Sequence, residues 1–197
     1  MYSNDDFFLL RATSKQDFFY SNGVARLRLE AHGIVNGAAT EGEPDYLNGA
    51  RNASSLLGRD FGAWPVRLHT HSPQSMNRDV LAEMEGRYPD EFAMTRSRKF
   101  RHFSDVAVSG FFYHHYAFVT GRAVPDGQPT LLIQQNHRFE RMFANILQLA
   151  ESAQRSPHLS VCVNDGNSSH ENPAWEKAAT RFLRQMFPEP SQFEVQS

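Results

Sequence analysis

Four short runs in this chain combine residue types that bind anions, hold metals or move protons. Asn4-Asp5-Asp6 stands between an opening apolar pair and Phe7-Phe8. Its carboxylate oxygens suit a hard cation such as Mg²⁺ (or Mn²⁺), which in turn neutralises a diphosphate. A turn or helix cap, built on the local hydrogen bonds of Asn and Asp, explains the same residues without chemistry. His69-Thr70-His71-Ser72-Pro73 reads as a strand end held by proline. Two histidines at alternate strand positions face one side, a spacing that zinc uses. However, no Cys or compact acidic group nearby completes a tetrahedral set, and a strand-end histidine is often a satisfied polar residue. A neutral imidazole at His71 could accept a proton from a hydroxyl. In Lys99-Phe100-Arg101-His102-Phe103-Ser104-Asp105, a guanidinium precedes a capped helix start, a natural phosphate site; a surface pair between Arg101 and Asp105 is the plainer reading. Ser160-Val161-Cys162-Val163-Asn164-Asp165-Gly166 is an apolar strand ending in Asn-Asp, which mirrors the first run, and a turn at Asn-Asp-Gly accounts for it equally well.

These residues need strands and helices to position them. Strands are expected up to about Leu10, over Val24 to Glu30, Val66 to Thr70, Thr130 to Gln134 and His158 to Val163; Val24, Arg26 and Arg28 alternate with Ala25, Leu27 and Leu29 as in a half-buried strand. Helices are expected over Tyr46 to Leu57 with Gly58 as the stop, Ser75 to Tyr88, Pro89 to Arg96, Ser104-Asp105 through Phe118, Asn136 to Gln154 and Pro173 to Phe187. A short turn or helix at Asp17-Phe18-Phe19 and a surface loop from Gly33 through Pro44 complete the pattern. Its later part alternates β and α. The expected fold class is therefore α/β, a mainly parallel sheet flanked by helices, with ligands beyond the carboxyl ends of the strands.

The 197 residues fit a single domain, 1–197, with its own core. Forty per cent hydrophobic and 21% charged residues mark an ordinary globular chain. Lys and Arg number 20 against 22 Asp and Glu, with no long basic block, so nucleic acid is not an expected partner. No apolar run is long enough to span a membrane, because His114 and His115 interrupt the longest aromatic stretch. The lone cysteine, Cys162, reads as core and suits a reducing compartment, and the expected location is the cytoplasm.

Taken together and in this order, the runs resemble the Stealth family of sugar-phosphate transferases. YSNDDFFLL is similar to the end of that family's second conserved block, and DFFYSNG follows it. HTHSPQSMNRDVLAEMEGRYPDEFAMTRSRKFRHFSD resembles the third block, while SVCVNDG and WEKAATRFLRQMFPEPSQFE resemble the fourth. The resemblance implies transfer of a sugar-1-phosphate from a nucleotide-diphosphate sugar donor to a hydroxyl of a glycan acceptor. It implies catalytic roles for Asp5, His71, Arg101 and Asp165, substrate binding by Asn4, Arg101 and Asn164, and a Mg²⁺ or Mn²⁺ site built from Asp5, Asp6 and Asp165. In these roles, metal and carboxylates stabilise the leaving phosphate, Arg101 holds phosphoryl oxygens and His71 takes the acceptor proton.

The chain departs from the family pattern in lacking the first block and the acidic position before Asn-Asp-Asp, and in carrying Gly166 where relatives often have a polar residue. It is therefore expected to be the C-terminal part of a transferase, apparently N-terminally truncated. A dimer, or a partner supplying the missing part, would cover the sheet edge and apolar surface left open beside Met1 to Leu10. An inactive or regulatory remnant, and a metal-dependent glycosyltransferase attacking the anomeric carbon, are the alternative readings.

Overall fold

A computed structural model describes residues 1–127, 129–151, 156–166 and 171–189. Backbone packing groups the chain into two compact units, one of Met1–Ser3 with Ser14–Gln128 and the other of Asn4–Thr13 with Pro129–Ser197.

The first unit is mostly helical. Strands β2 (Ala25–Leu27) and β3 (Ala123–Pro125) pair in parallel, the former preceded by a single turn of tight helix at Lys15–Asp17. Helix α1 (Asp45–Phe61) buries Ala50, Ala53 and Leu57 along one face, the i, i+3, i+7 spacing of a core stripe. It runs past the expected stop at Gly58 to Gly62, whose φ of 66° lets the chain leave in the left-handed conformation. Gly58 has a different task, since a Cβ there would lie 2.3 Å from the Trp64 indole. Glycine at that point permits contact between helix and ring.

Helix α2 (Arg78–Arg87) begins later than expected because Asn77 caps it, accepting a hydrogen bond from the Asp79 amide at 2.8 Å. Pro89, which has no N–H to contribute, ends that helix and opens α3 (Pro89–Ser97) as its first residue. The helix expected from Ser104-Asp105 starts only after Ala107. One wide turn, Val108–Phe112, has the Phe112 amide donating to the Ala107 carbonyl at 2.8 Å, and it continues into α4 (Tyr113–Val119). Met84, Tyr88, Phe111, Phe112, Tyr116 and Leu57 close the core of this unit. Residues 66–70 form no strand; only Leu29 and His69 make an isolated bridge.

In the second unit, β1 (Phe7–Leu9), β5 (Ser160–Asn164) and β4 (Leu131–Gln134) form one sheet in that spatial order. β4 and β5 are parallel and joined through α5 (Phe139–Glu151), the connection that parallel strands require. β1 runs antiparallel to β5, with Phe7 opposite Cys162. The parallel character expected from sequence thus holds for β2–β3 and β4–β5, whereas β1 is antiparallel and the strands divide between two small sheets. Helix α6 (Pro173–Met186) starts with Pro173 and an Asn172 cap that accepts from the Trp175 amide at 3.2 Å. Phe143 stacks on Phe182 at 4.7 Å, and Phe139 meets Trp175 edge-on at 5.1 Å, so α5 and α6 share an aromatic core with Ile133 and Val161.

Candidate active site

Strand direction assembles the first group of candidates. Because β1 is antiparallel to β5, its beginning lies beside the end of β5; β4, parallel to β5, ends there as well, with Gln134 opposite Asn164. Asn4-Asp5-Asp6 and Asn164-Asp165, separated by more than 150 residues in sequence, therefore meet at one edge of one sheet. The Asp6 carbonyl extends this pairing by accepting from the Val163 amide at 2.9 Å. Asn136, His137 and Arg138 leave β4 at the same edge; the Asn136 side chain accepts from the Arg138 amide at 2.9 Å, and Arg138 donates to His137 at 3.1 Å.

The two acidic neighbours just before β1 are not equivalent. Asp5 is exposed, whereas Asp6 is half-buried and its Oδ2 accepts a hydrogen bond from the Cys162 thiol at 3.1 Å. Burial, reinforced by Asp6, pushes the Cys162 thiol far above its usual range, so the sulfur keeps its proton and acts as the donor. The second oxygen, Asp6 Oδ1, is buried and has no hydrogen-bond partner among the described residues. A buried carboxylate oxygen without a partner costs about 1–3 kcal/mol or more, and a cation is one group that would relieve it. At the end of β5 the Asn164 side chain accepts from the Gly166 amide at 2.9 Å, and Gly166 takes φ +66°. The Asn-Asp-Gly turn read as an alternative is thus present, and it leaves Asp165 exposed. Among the described residues, no three His, Cys, Asp or Glu side chains already form a group able to hold a metal by themselves.

His71 and Arg101 belong to the first unit. The expectation that His69 and His71 face one side of a strand is corrected here: His69 is 6% exposed, while His71 is exposed. The alternation fails because residues 70–72 turn tightly, with the Ser72 amide donating to the Thr70 carbonyl at 2.8 Å. His69 stacks on His114 at 4.0 Å, and its Nδ1 donates to the Thr70 carbonyl at 2.7 Å. Burial lowers its pKa to about 4, and burial likewise holds His114 well below the ordinary range. These rings are neutral core groups at pH 7.

Arg28 braces the same turn. Read from sequence as part of the polar face of a strand, it is 1% exposed and donates to the carbonyls of Asp17 and, at 3.4 Å, Pro73, with Asp126 3.8 Å away. Its burial had no signal in the alternation of β2, since the covering loops come from distant sequence. The expected pair of Arg101 with Asp105 does not form. Asp105 is taken by the His102 amide at 2.8 Å and by Arg98 at 3.5 Å, and Arg101 is exposed with no hydrogen bond or ion pair among the described residues. A surface depression of about 520 Å³ along Glu176, Lys177, Arg181 and Arg184 of α6 contains none of the candidates.

Comparison with known proteins follows the same residues. The model of Stealth conserved region 3 matches residues 70–118, which contain His71 and Arg101, and that of conserved region 4 matches residues 152–197, which contain Asn164 and Asp165. Over 196 residues the chain is 53% identical to the capsular polysaccharide phosphotransferase SacB of Neisseria meningitidis serogroup A. The chain belongs to the Stealth family. A second relative, the exopolysaccharide phosphotransferase CpsY of Mycobacterium tuberculosis (strain ATCC 25618 / H37Rv), is 34% identical over 196 residues. Both matches cover 98% of this chain and 36% of the relative, so the chain spans little more than a third of these relatives' length. Asn4, Asp5 and Asp6 precede both Stealth regions. The closing run of region 4, from residue 190 onward, lies outside the described residues. No helix among the described residues is long and apolar enough to cross a membrane.

Proposed function

We propose that this Stealth chain acts in transfer of a hexose-1-phosphate from a nucleotide-diphosphate sugar to a hydroxyl of a glycan acceptor, in capsular or exopolysaccharide biosynthesis. The observation that carries the reading is the antiparallel register of β1 against β5, which gathers Asn4, Asp5, Asp6, Asn164 and Asp165 at one strand edge. The phosphotransferase names of its relatives support the reaction class.

In the proposed reaction the acceptor oxygen attacks the phosphorus next to the sugar. Its bond to phosphorus forms as the bridging P–O bond breaks, and the nucleoside monophosphate leaves. His71, exposed on its turn, takes the acceptor proton. Arg101, whose guanidinium is free among the described residues, holds the phosphoryl oxygens as their charge spreads. Asn4 and Asn164 orient the donor through their amides. Asp5, Asp6 and Asp165 are the oxygen donors for Mg²⁺ or Mn²⁺, and the unpartnered Asp6 Oδ1 fits that assignment. When bound, the cation would supply charge neutralisation at the diphosphate, a role in which one or two carboxylates plus substrate oxygens suffice. Asp6, held by Cys162, sets the geometry of that edge while Asp5 and Asp165 face solvent.

The reducing cytoplasm is the proposed location, supported by the single buried thiol. A second copy or a partner segment pairing along β1, an edge strand of its sheet, belongs to the same proposal. The product decides the reaction. Phosphorus NMR of the purified product should show a phosphodiester between sugars with release of nucleoside monophosphate. A plain glycosidic bond with nucleoside diphosphate released sinks the reading.

A further inference from the structure

Beside the end of α1, a cleft of about 190 Å³ lies between Val35, Asn36, Arg51, Ser55, Trp64 and Val66, and its most prominent wall is an indole left in water. Trp64 is 65% exposed, yet it is not loosely placed. Its ring rests on the bare backbone of Gly58, where a Cβ would come within 2.3–2.5 Å of three ring atoms. The segment carrying it is anchored by Gly62 in the left-handed conformation and by Ser54, whose hydroxyl donates to the Pro65 carbonyl at 2.9 Å. One face of the ring is thus fixed on the helix and the other is presented to solvent, at the cost of leaving a large apolar surface hydrated. Rigid, exposed aromatic platforms of this kind belong to binding surfaces, because little entropy is lost when they are covered.

The rest of the cleft is polar in a specific way. The Asn36 side chain has no hydrogen bond among the described residues and offers both a donor and an acceptor. The Ser55 hydroxyl donates to the Arg51 carbonyl at 3.0 Å, which leaves its lone pairs facing outward as acceptors. Arg51 is held in place by the Asn36 carbonyl at 2.9 Å and the Asn48 side chain at 3.0 Å, and it supplies a cation whose carboxylate neighbour, the exposed Glu43 at 3.8 Å, is beyond hydrogen-bond distance. An apolar face flanked by amide, hydroxyl and guanidinium matches a pyranose, which presents a C–H face ringed by hydroxyls. A glycan joined through phosphodiesters also carries the anionic charge that Arg51 complements. His71 is seven Cα steps along the chain from Trp64, so the cleft lies within roughly 25 Å of that histidine. A growing oligosaccharide can span that distance.

We propose that the Trp64 cleft is a saccharide subsite that holds the acceptor glycan away from its reacting end, with Trp64 stacking on one sugar and Asn36, Ser55 and Arg51 binding its hydroxyls and a neighbouring phosphate. This proposal rests on the phosphotransferase reading for the identity of the glycan. Its consequence is a preference for longer acceptors, since only these reach the subsite while their ends react.

The test uses size-fractionated oligosaccharides released by mild acid from the producing organism's own polysaccharide, added to the protein while indole fluorescence is recorded. Trp64 is exposed and Trp175 is 2% exposed, so a blue shift on titration that disappears in Trp64→Phe reports the cleft. Trp64→Ala should weaken binding of the longer fractions about tenfold, leaving nucleotide-sugar binding and the melting temperature unchanged. Gly58→Ala, which retains the indole but displaces it, should weaken the same fractions. Equal affinity for long fractions in wild type and Trp64→Ala overturns the subsite, as does an indole shielded from aqueous quenchers before any sugar is added, which would mean that protein covers it. If Trp64→Ala loses long-fraction binding but the product is a plain glycosidic bond, the subsite stands and the phosphotransfer reading fails. A phosphodiester product with unaltered acceptor-length preference in Trp64→Ala has the opposite meaning.

Discussion

The strand edge of the second unit and the His71 turn of the first present candidate residues by opposite means. At the edge, Asn4, Asp5, Asp6, Asn164 and Asp165 take their places from a backbone ladder, with one side-chain contact, Cys162 to Asp6, adding precision. The turn has no ladder. Residues 70–73 have only scattered backbone bonds, such as the Thr70 amide to the Arg28 carbonyl at 3.0 Å, and add to them the Thr70 and Ser72 hydroxyls bonded at 2.9 Å and buried Arg28, which donates to the Pro73 carbonyl. A ladder shares its load among many backbone bonds, whereas a brace concentrates it in one residue. Loss of a single side chain should therefore disturb the turn far more than the edge.

The largest effect expected is on the reaction. Arg101→Ala should lower turnover about 10³-fold and His71→Ala about 10²–10⁴-fold, with circular-dichroism melting unchanged because both side chains are exposed. Unaltered turnover in His71→Ala would remove it as the base. Next comes the brace itself. Arg28→Met keeps most of the volume but loses hydrogen bonds from a buried cation, and should destabilise the first unit by about 2–4 kcal/mol in urea melts. A loss below 1 kcal/mol would show that the turn holds itself.

Acid should distinguish the two units as well. His69 has a folded pKa of about 4 against about 6.5 unfolded, so between those values the unfolded state binds more protons. Its contribution is fully present above pH 6.5 and is lost as the pH falls through 4. That loss should amount to on the order of 2–3 kcal/mol, with His114 acting in the same direction. Melting temperature measured from pH 7.5 to 4 should fall, and His69→Phe should flatten the slope; an unchanged slope would separate the histidine pair from acid sensitivity. The smallest effect belongs to the edge. Cys162→Ser retains a donor to Asp6 and should cost about 1 kcal/mol, whereas Cys162→Ala, which leaves both Asp6 oxygens without a partner, should cost about 1 kcal/mol more. Equal stability of the two variants would mean that the ladder alone suffices.

Much of the frame could be read from sequence because its signals are local. Pro89 at a helix start and the alternating pattern after residue 130 each specify an element through nearby residues, as the structure of α3, β4, α5, β5 and α6 shows. Errors arose where a local signal had a distant cause. Gly58 resembles a helix stop but is required by Trp64; Arg28 follows the period of an exposed strand face but is covered by Asp17 and Pro73; Asp105 looked available to Arg101 but is occupied by Arg98. Cys162 was legible as core, although not as the donor to a carboxylate at the other end of the chain.

Residue order by itself determined the α/β character, the four runs able to do chemistry and membership of the Stealth family, since these depend on short patterns that survive without coordinates. Tertiary structure alone decided which of them share a location. The direction of β1 brings Asp5 and Asp165 to one edge, and the turn at residues 70–72 sends His69 into the core while His71 faces water. Both outcomes depend on hydrogen bonds and burial contributed by remote segments, and no local pattern in a sequence carries that information.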